Sequence, residues 1–139
     1  MKTLKQLTDE IAERNSGLFN SGHFHEARIV LEPRKERDNC YIVRSESFYG
    51  HDLESARKAN STHREFLTCA GYNLQKTMRH PFNGEWSIYS GRGDDLARTE
   101  HEETANTIAY SFAKEIGQHL SEQFGFPFED RTKNNSRQD

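Results

Sequence analysis

The clearest pattern of hydrophobic and polar positions lies in residues 99–124, where apolar side chains recur every three or four residues, as on one face of an α-helix. The apolar positions are Ala105, Ile108, Ala109, Phe112, Ile116, Leu120 and Phe124. Thr99 and Glu102 have the spacing of a capping box at the first turn. Gly125 followed by Pro127 is typical of a helix end. The pattern therefore predicts a long amphipathic helix that forms the centre of the core.

A short N-terminal helix is predicted over residues 3–14 by the same spacing at Leu4, Leu7 and Ile11. Residues 15–22 are rich in Asn, Ser and Gly, a composition typical of loops. We therefore expect no helix to cross them.

A second long helix is predicted over residues 52–79, ending before Pro81. The residues that recur every three or four positions, and so share one face of this helix, are Leu53, Ala56, Asn60, His63, Leu67, Ala70, Leu74 and Thr77. Asn60 and His63 interrupt the apolar positions. Such a polar pair is explained either by hydrogen bonding within the core or by fixing the register against a partner helix. His63 is therefore a candidate binding residue.

Three strands are predicted where β-branched and aromatic residues accumulate, at residues 24–32, 39–49 and 85–90. The first two form a hairpin around the polar segment 33–38, and a loop over residues 91–95 leads into the last helix. The predicted fold is α+β in two layers, with the order α-β-β-α-β-α. A small antiparallel three-stranded sheet packs with two long helices and a short N-terminal helix.

The two faces of the hairpin differ in chemistry because successive strand residues point to opposite sides. Ala27, Ile29 and Leu31 share the better core face with Tyr41, Val43 and Ser45. The other face carries Glu26, Arg28, Val30, Glu32, Cys40, Ile42, Arg44 and Glu46. If paired residue numbers sum to 72, Arg28 lies opposite Arg44, and if they sum to 74, Arg28 lies opposite Glu46.

This polar face has two interpretations. It is either a salt-bridge network in contact with solvent or a site where Arg28 and Arg44 bind an anion. In the second case Arg34, Lys35 and Arg37, at the hairpin turn, extend the positive surface.

The composition indicates one domain over residues 1–128 and a disordered polar tail over residues 129–139. Of the 139 residues, 32% are hydrophobic, and the mean hydropathy is −1.01. So few hydrophobic residues form only a small core, which a second copy of the chain could complete. A homodimer is therefore one expectation. The net charge of −3 indicates neither a nucleic-acid nor a membrane partner by itself.

No apolar run is long enough for a membrane span or a signal peptide, which predicts a cytoplasmic protein with no membrane partner. Cys40 and Cys69 are then expected to be reduced. Their spacing, without further Cys or His ligands nearby, predicts no zinc site, and no ligand set or phosphate loop indicates a cofactor.

Tyr110 lies with Gly117 on the side of the last helix opposite its apolar stripe. An aromatic residue beside a small one suits a contact with another surface. Tyr110 is therefore a further candidate binding residue.

No motif specifies a reaction, so the leading hypothesis is a small binding protein that acts by stoichiometric contact with a macromolecular partner, most simply a protein. Inhibitors and adaptors among phage and plasmid accessory proteins are of this type. A second hypothesis is a binder of nucleotide or nucleic-acid phosphate through Arg28, Arg44 and the cations of the turn. A third is a nuclease that depends on His63 or His101.

Overall fold

The structure, a computed structural model, describes residues 2–20, 26–34, 39–48, 54, 62–74 and 84–132. Within these ranges it contains two helices, α1 (Leu4–Asn20) and α2 (Glu102–Phe124). The strands are β1 (Glu26–Pro33), β2 (Cys40–Phe48), β3 (Thr62–Leu74), β4 (Trp86–Ser90), β5 (Asp95–Thr99) and β6 (Phe128–Asp130).

The strands form one six-stranded sheet in the order β5-β4-β3-β2-β1-β6. Neighbouring strands are antiparallel except β1 and β6, which are parallel, so the sheet is mixed. The prediction of an α+β protein is confirmed. The prediction of a small antiparallel three-stranded sheet is wrong, because β3, β5 and β6 were not expected.

The largest correction concerns β3, which lies inside the segment predicted to be the second long helix. It is a central strand that pairs with β2 and β4. A β-bulge explains the misleading pattern: Val43 pairs with Thr68 and Arg44 with Phe66, so Leu67 is an extra residue. Leu67 and Ala70 are then both buried in the core although they are three positions apart, which imitates a helical period. The rest of the predicted helix, apart from residue 54, lies outside the described residues.

Helix α1 is longer than predicted and crosses part of the expected loop. The Asn15 side-chain amide donates a hydrogen bond to the Ile11 carbonyl at 2.8 Å, and the Ser16 hydroxyl donates to the Glu13 carbonyl at 3.0 Å. These polar side chains bond back onto the helix instead of ending it. The expectation that no helix crosses residues 15–22 is therefore wrong.

Helix α2 begins at Glu102 rather than at the predicted capping box. Thr99 is the last residue of β5 and pairs with Trp86. The residue before the helix is His101, whose side chain makes no capping hydrogen bond in the described part of the chain. The predicted helix end is confirmed, since Gly125 has a φ of 72° and its N–H donates to the Ser121 carbonyl.

The core lies between the sheet and the two helices. Ile116 and Leu120 of α2 are fully buried, which confirms the central role predicted for this helix. The fully buried side chains that face the helices from the sheet include Ile29, Leu31, Val43 and Ile88. The predicted core face of the hairpin is thereby confirmed. Within the described residues, neither helix is long and apolar enough to cross a membrane.

Candidate functional site

The hairpin register decides how the predicted arginines are paired. Arg28 lies opposite Glu46 and Arg44 opposite Val30, which is the register in which paired numbers sum to 74. The two arginines are therefore not direct neighbours across the strands, and the like-charge contact of the other register is avoided.

Arg44 is buried, with 3% of its side chain exposed, and contacts two carboxylates. Its Nε lies 2.6 Å from Glu32 Oε1 and its Nη2 3.1 Å from Glu32 Oε2, a bidentate arrangement. Its Nη1 lies 3.2 Å from Glu46 Oε1. Arg44 thus uses its guanidinium to hold carboxylates of its own chain.

Arg28 and the C-terminal strand extend this network. The Arg28 guanidinium stacks on Phe48 at 4.8 Å and lies 3.6 Å from Glu129. Arg131 contacts Glu129 at 2.7 Å and Glu46 at 2.8 Å. The hydrogen bond from Arg131 holds the pKa of the Glu129 carboxyl below its usual value.

Three arginines and three glutamates therefore face one another on this side of the described sheet: Arg28, Arg44, Arg131, Glu32, Glu46 and Glu129. We call them the sheet charge network. Their formal charges cancel. Of the two interpretations drawn from the sequence, this geometry corresponds to the salt-bridge network.

Among the other candidate residues, those whose side chains the structure describes are not members of this network. Arg34 is exposed at the end of β1, and Lys35 and Arg37 lie outside the described residues. His63 is in β3 at the register position of Ser47, so the predicted helical seam with Asn60 is wrong. His101 is exposed beside the start of α2.

Tyr110 contacts residues of its own chain, and its role in binding another surface stays a prediction. Its hydroxyl donates a hydrogen bond to Asp130 Oδ2 at 2.5 Å, and its ring packs edge-on against Tyr41 at 5.6 Å between centroids. Burial, followed by the hydrogen bond to Asp130, raises the pKa of Tyr110 to about 12. The Phe128 ring covers Gly117 so closely that a Cβ there would lie 3.2 Å from two ring carbons and nearer still to a third.

The two cysteines form a disulfide between β2 and β3, with their Cα atoms 6.7 Å apart. The expectation of reduced thiols does not hold in this structure. That expectation depended on the predicted cytoplasmic location, whereas the fold brings the two side chains together by pairing Cys69 with Ile42, two residues from Cys40.

A groove of about 500 Å³ lies between α1 and α2. Its lining is Leu4, Lys5, Thr8, Asp9, Glu115, His119, Glu122 and Gln123. Three carboxylates and one lysine give it negative charge, and the imidazole Nε2 of His119 lies 3.7 Å from Glu115 Oε1. We call it the helix groove.

Sequence reasoning missed the helix groove although part of its signal was present. Glu115, His119 and Glu122 are spaced by four and three residues, which places them on one helical face. The helix on the other side of the groove, α1, was predicted over residues 3–14, but the sequence did not show that it packs beside α2. Within the described residues, no group of three or more His, Cys, Asp and Glu side chains is arranged to hold a metal ion.

Compared with known protein families, with curated proteins and with solved structures, the chain matches none.

Proposed function

We propose that this chain is a binding protein that acts by stoichiometric contact with another protein, as inhibitors and adaptors do. The helix groove is the surface that we assign to this contact, and the partner presents a basic segment to it. The observation that carries the proposal is the charge of the groove, where Asp9, Glu115 and Glu122 outnumber Lys5.

The groove has the features expected of a recognition surface. It is open to solvent and has an apolar residue, Leu4, in its lining beside the charged groups. Its walls are two helices whose inner sides are buried, through Leu7 and Ile11 in α1 and Ile116 in α2. A surface on anchored helices is preorganised, so little order has to be gained on binding. Complementary charge then favours a cationic segment and increases the association rate.

The phosphate-binding alternative has less support from the same residues. Arg44 is buried and holds Glu32 and Glu46, so an incoming phosphate would have to displace carboxylates. The helix groove carries the same sign of charge as phosphate and would repel it. We therefore favour a protein over a nucleotide or nucleic acid.

A capture experiment with two charge variants tests this proposal. The full chain, the double variant Glu115→Gln/Glu122→Gln and the control Glu103→Gln are compared for the proteins that each retains from native cells. Glu103 is exposed in the first turn of α2 and does not line the groove. We expect a stoichiometric partner to bind the unchanged chain and the control, to be lost with the double variant, and to dissociate as salt rises.

Two results would overturn the proposal. One is a stoichiometric partner that the double variant retains as well as the control does. The other is a captured nucleic acid, recognised by its sensitivity to nuclease, which would favour the phosphate-binding alternative.

We place the protein in the cytoplasm in this proposal, and the Cys40–Cys69 pair tests the placement. Reducing compartments keep most protein thiols reduced, whereas disulfides persist in oxidising ones. In the cytoplasm, the Cys40–Cys69 disulfide of the structure would be kept reduced, so alkylation of thiols in intact cells should modify both cysteines. Complete protection of both would contradict a cytoplasmic location.

A further inference from the structure

The Cys40–Cys69 disulfide joins two neighbouring strands on the side of the sheet that carries the sheet charge network. Its two cysteines differ in exposure: Cys40 is 1% exposed, whereas Cys69 is partly exposed. Exchange with another thiol begins when a thiolate attacks one of the two sulfurs, and access decides which one. The surroundings of each cysteine therefore determine how the bond reacts.

The neighbours of Cys40 explain its burial. Its register partner in β3 is Gly71, and Gly71 pairs in turn with Tyr89 of β4. A Cβ on Gly71 would lie 2.9 Å from the Tyr89 hydroxyl oxygen, so the Tyr89 ring extends over Gly71 toward Cys40. On the other side, the Arg34 N–H donates to the Cys40 carbonyl at 3.0 Å, which places the chain at the end of β1 beside Cys40. Cys40 is thus enclosed from both neighbouring strands.

The position beside Cys69, in the direction of β4, is a glycine. Strand β4 ends at Ser90, which pairs with Ala70, so the next residue, Gly91, lies next to Cys69. The two are close, because a Cβ on Gly91 would lie 3.3 Å from the Cys69 Cβ. Gly91 is exposed and has no side chain to cover its neighbour. Cys69 is therefore accessible from the side of β4.

The direction of attack favours the same cysteine. Exchange is a displacement at sulfur, so the thiolate approaches the attacked sulfur on the side opposite the sulfur that leaves. For attack on Cys69, the approach is from the side of β4, where Gly91 lies. For attack on Cys40, the approach is from the side of β1, where the chain is in direct contact with Cys40.

We propose that the Cys40–Cys69 pair is a thiol-exchange site at which a small thiol, such as glutathione, attacks Cys69 and not Cys40. The thiolate forms a bond to Cys69 Sγ while the bond between Cys69 Sγ and Cys40 Sγ breaks. The electron pair of the broken bond leaves on Cys40 Sγ, which takes up a proton from water. Return attack of the Cys40 thiolate on Cys69 Sγ releases the small thiol and restores the disulfide. Cys69 is thus the modification site, and Cys40 is the cysteine that resolves it.

Two matched single variants of the full chain test the choice of sulfur. Cys40→Ser leaves only Cys69 to react, and Cys69→Ser leaves only Cys40. Each is incubated with oxidised glutathione, mass spectrometry follows the addition of glutathione, and circular dichroism verifies that the variant is folded. We expect Cys69 to react about tenfold faster than Cys40 in the folded variants, because the fold covers Cys40. In urea, which removes this cover, the two rates should agree within about a factor of two.

The unchanged chain provides a second measurement that does not depend on the folding of the variants. Its disulfide form is exposed briefly to reduced glutathione, quenched with acid and digested, and the mixed disulfide is located by mass spectrometry. We expect glutathione on the peptide that contains Cys69. The proposal is overturned if glutathione is found mainly on Cys40 or equally on both cysteines. It is equally overturned if the two folded variants react at the same rate.

Discussion

Replacement of Gly117 by alanine should destabilise this protein although the residue lies inside a helix. In an exposed helix interior, glycine is about 1 kcal/mol less favourable than alanine, so the same change usually stabilises. Gly117 is buried, and the ring of Phe128 occupies the space that a Cβ would need. The contact between the helix and the C-terminal strand therefore opposes the gain in helix propensity.

The magnitude follows from these two effects. Inserting a methyl group into a packed contact costs about 1–3 kcal/mol, because side chains or backbone have to move. The Phe128 ring has little freedom to move away, since β6 is tied to β1 by the Pro127 and Arg131 hydrogen bonds. After subtraction of the gain of about 1 kcal/mol in helix propensity, Gly117→Ala should lower the free energy of unfolding by up to about 2 kcal/mol.

Urea denaturation of four proteins checks the sign as well as the size. They are the unchanged chain, Gly117→Ala, Phe128→Ala and the double variant. Once the ring is absent, the same glycine substitution should stabilise by about 1 kcal/mol, so its effect changes sign between the two backgrounds. Gln118→Ala, at an exposed neighbouring position, serves as the control and should change little in either background. A stabilising Gly117→Ala in the unchanged chain would refute the reasoning.

Three further predictions concern charge, pH and the disulfide. Arg44→Ala should cost about 3–5 kcal/mol in urea denaturation because it removes the buried guanidinium that contacts Glu32 and Glu46, whereas Arg28→Ala, at a site with 31% exposure, should cost less than about 1 kcal/mol. Equal losses would contradict the burial of the network. Because the pKa of Tyr110 is raised to about 12, its contribution to stability is complete below about pH 10 and is lost as the pH rises toward 12. With allowance for solvent screening this amounts to about 1 kcal/mol, and a Tyr110→Phe variant with the same alkaline dependence would contradict it. Reduction of the Cys40–Cys69 disulfide, which closes a loop with a sequence separation of 29, should cost about 3–4 kcal/mol, and an unchanged urea midpoint after reduction would exclude a stabilising role.

The elements predicted correctly from the sequence are those whose signals are local. The period of α2 reflects burial of one face, and Ile116 and Leu120 are indeed fully buried. The two faces of the β1–β2 hairpin follow from parity alone. The register was left open between two pairings, and the structure has the one in which Arg28 lies opposite Glu46 and no arginine faces another directly.

The elements predicted wrongly or missed depend on partners far away in the sequence. In β3, the extra residue Leu67 breaks the strand alternation and produces a spacing that a helix also shows. Strand pairing with β2 and β4 then overrides any local preference. β6 is only three residues long, and it lies at the junction with the segment predicted to be a polar tail. Phe126 and Phe128, at alternate positions, were its one local signal.

The candidate site was missed because the sequence shows charges but not which of them are already paired. Arg28 and Arg44 have the same residue type as an anion-binding pair, yet the fold places Glu32, Glu46 and Glu129 against them. The arginines and glutamates of the sheet charge network cancel, so the net charge of −3 belongs to the rest of the chain. In the helix groove, by contrast, the carboxylates exceed the single lysine. Electrostatic attraction of a partner depends on uncompensated charge, which the helix groove has and the sheet charge network lacks.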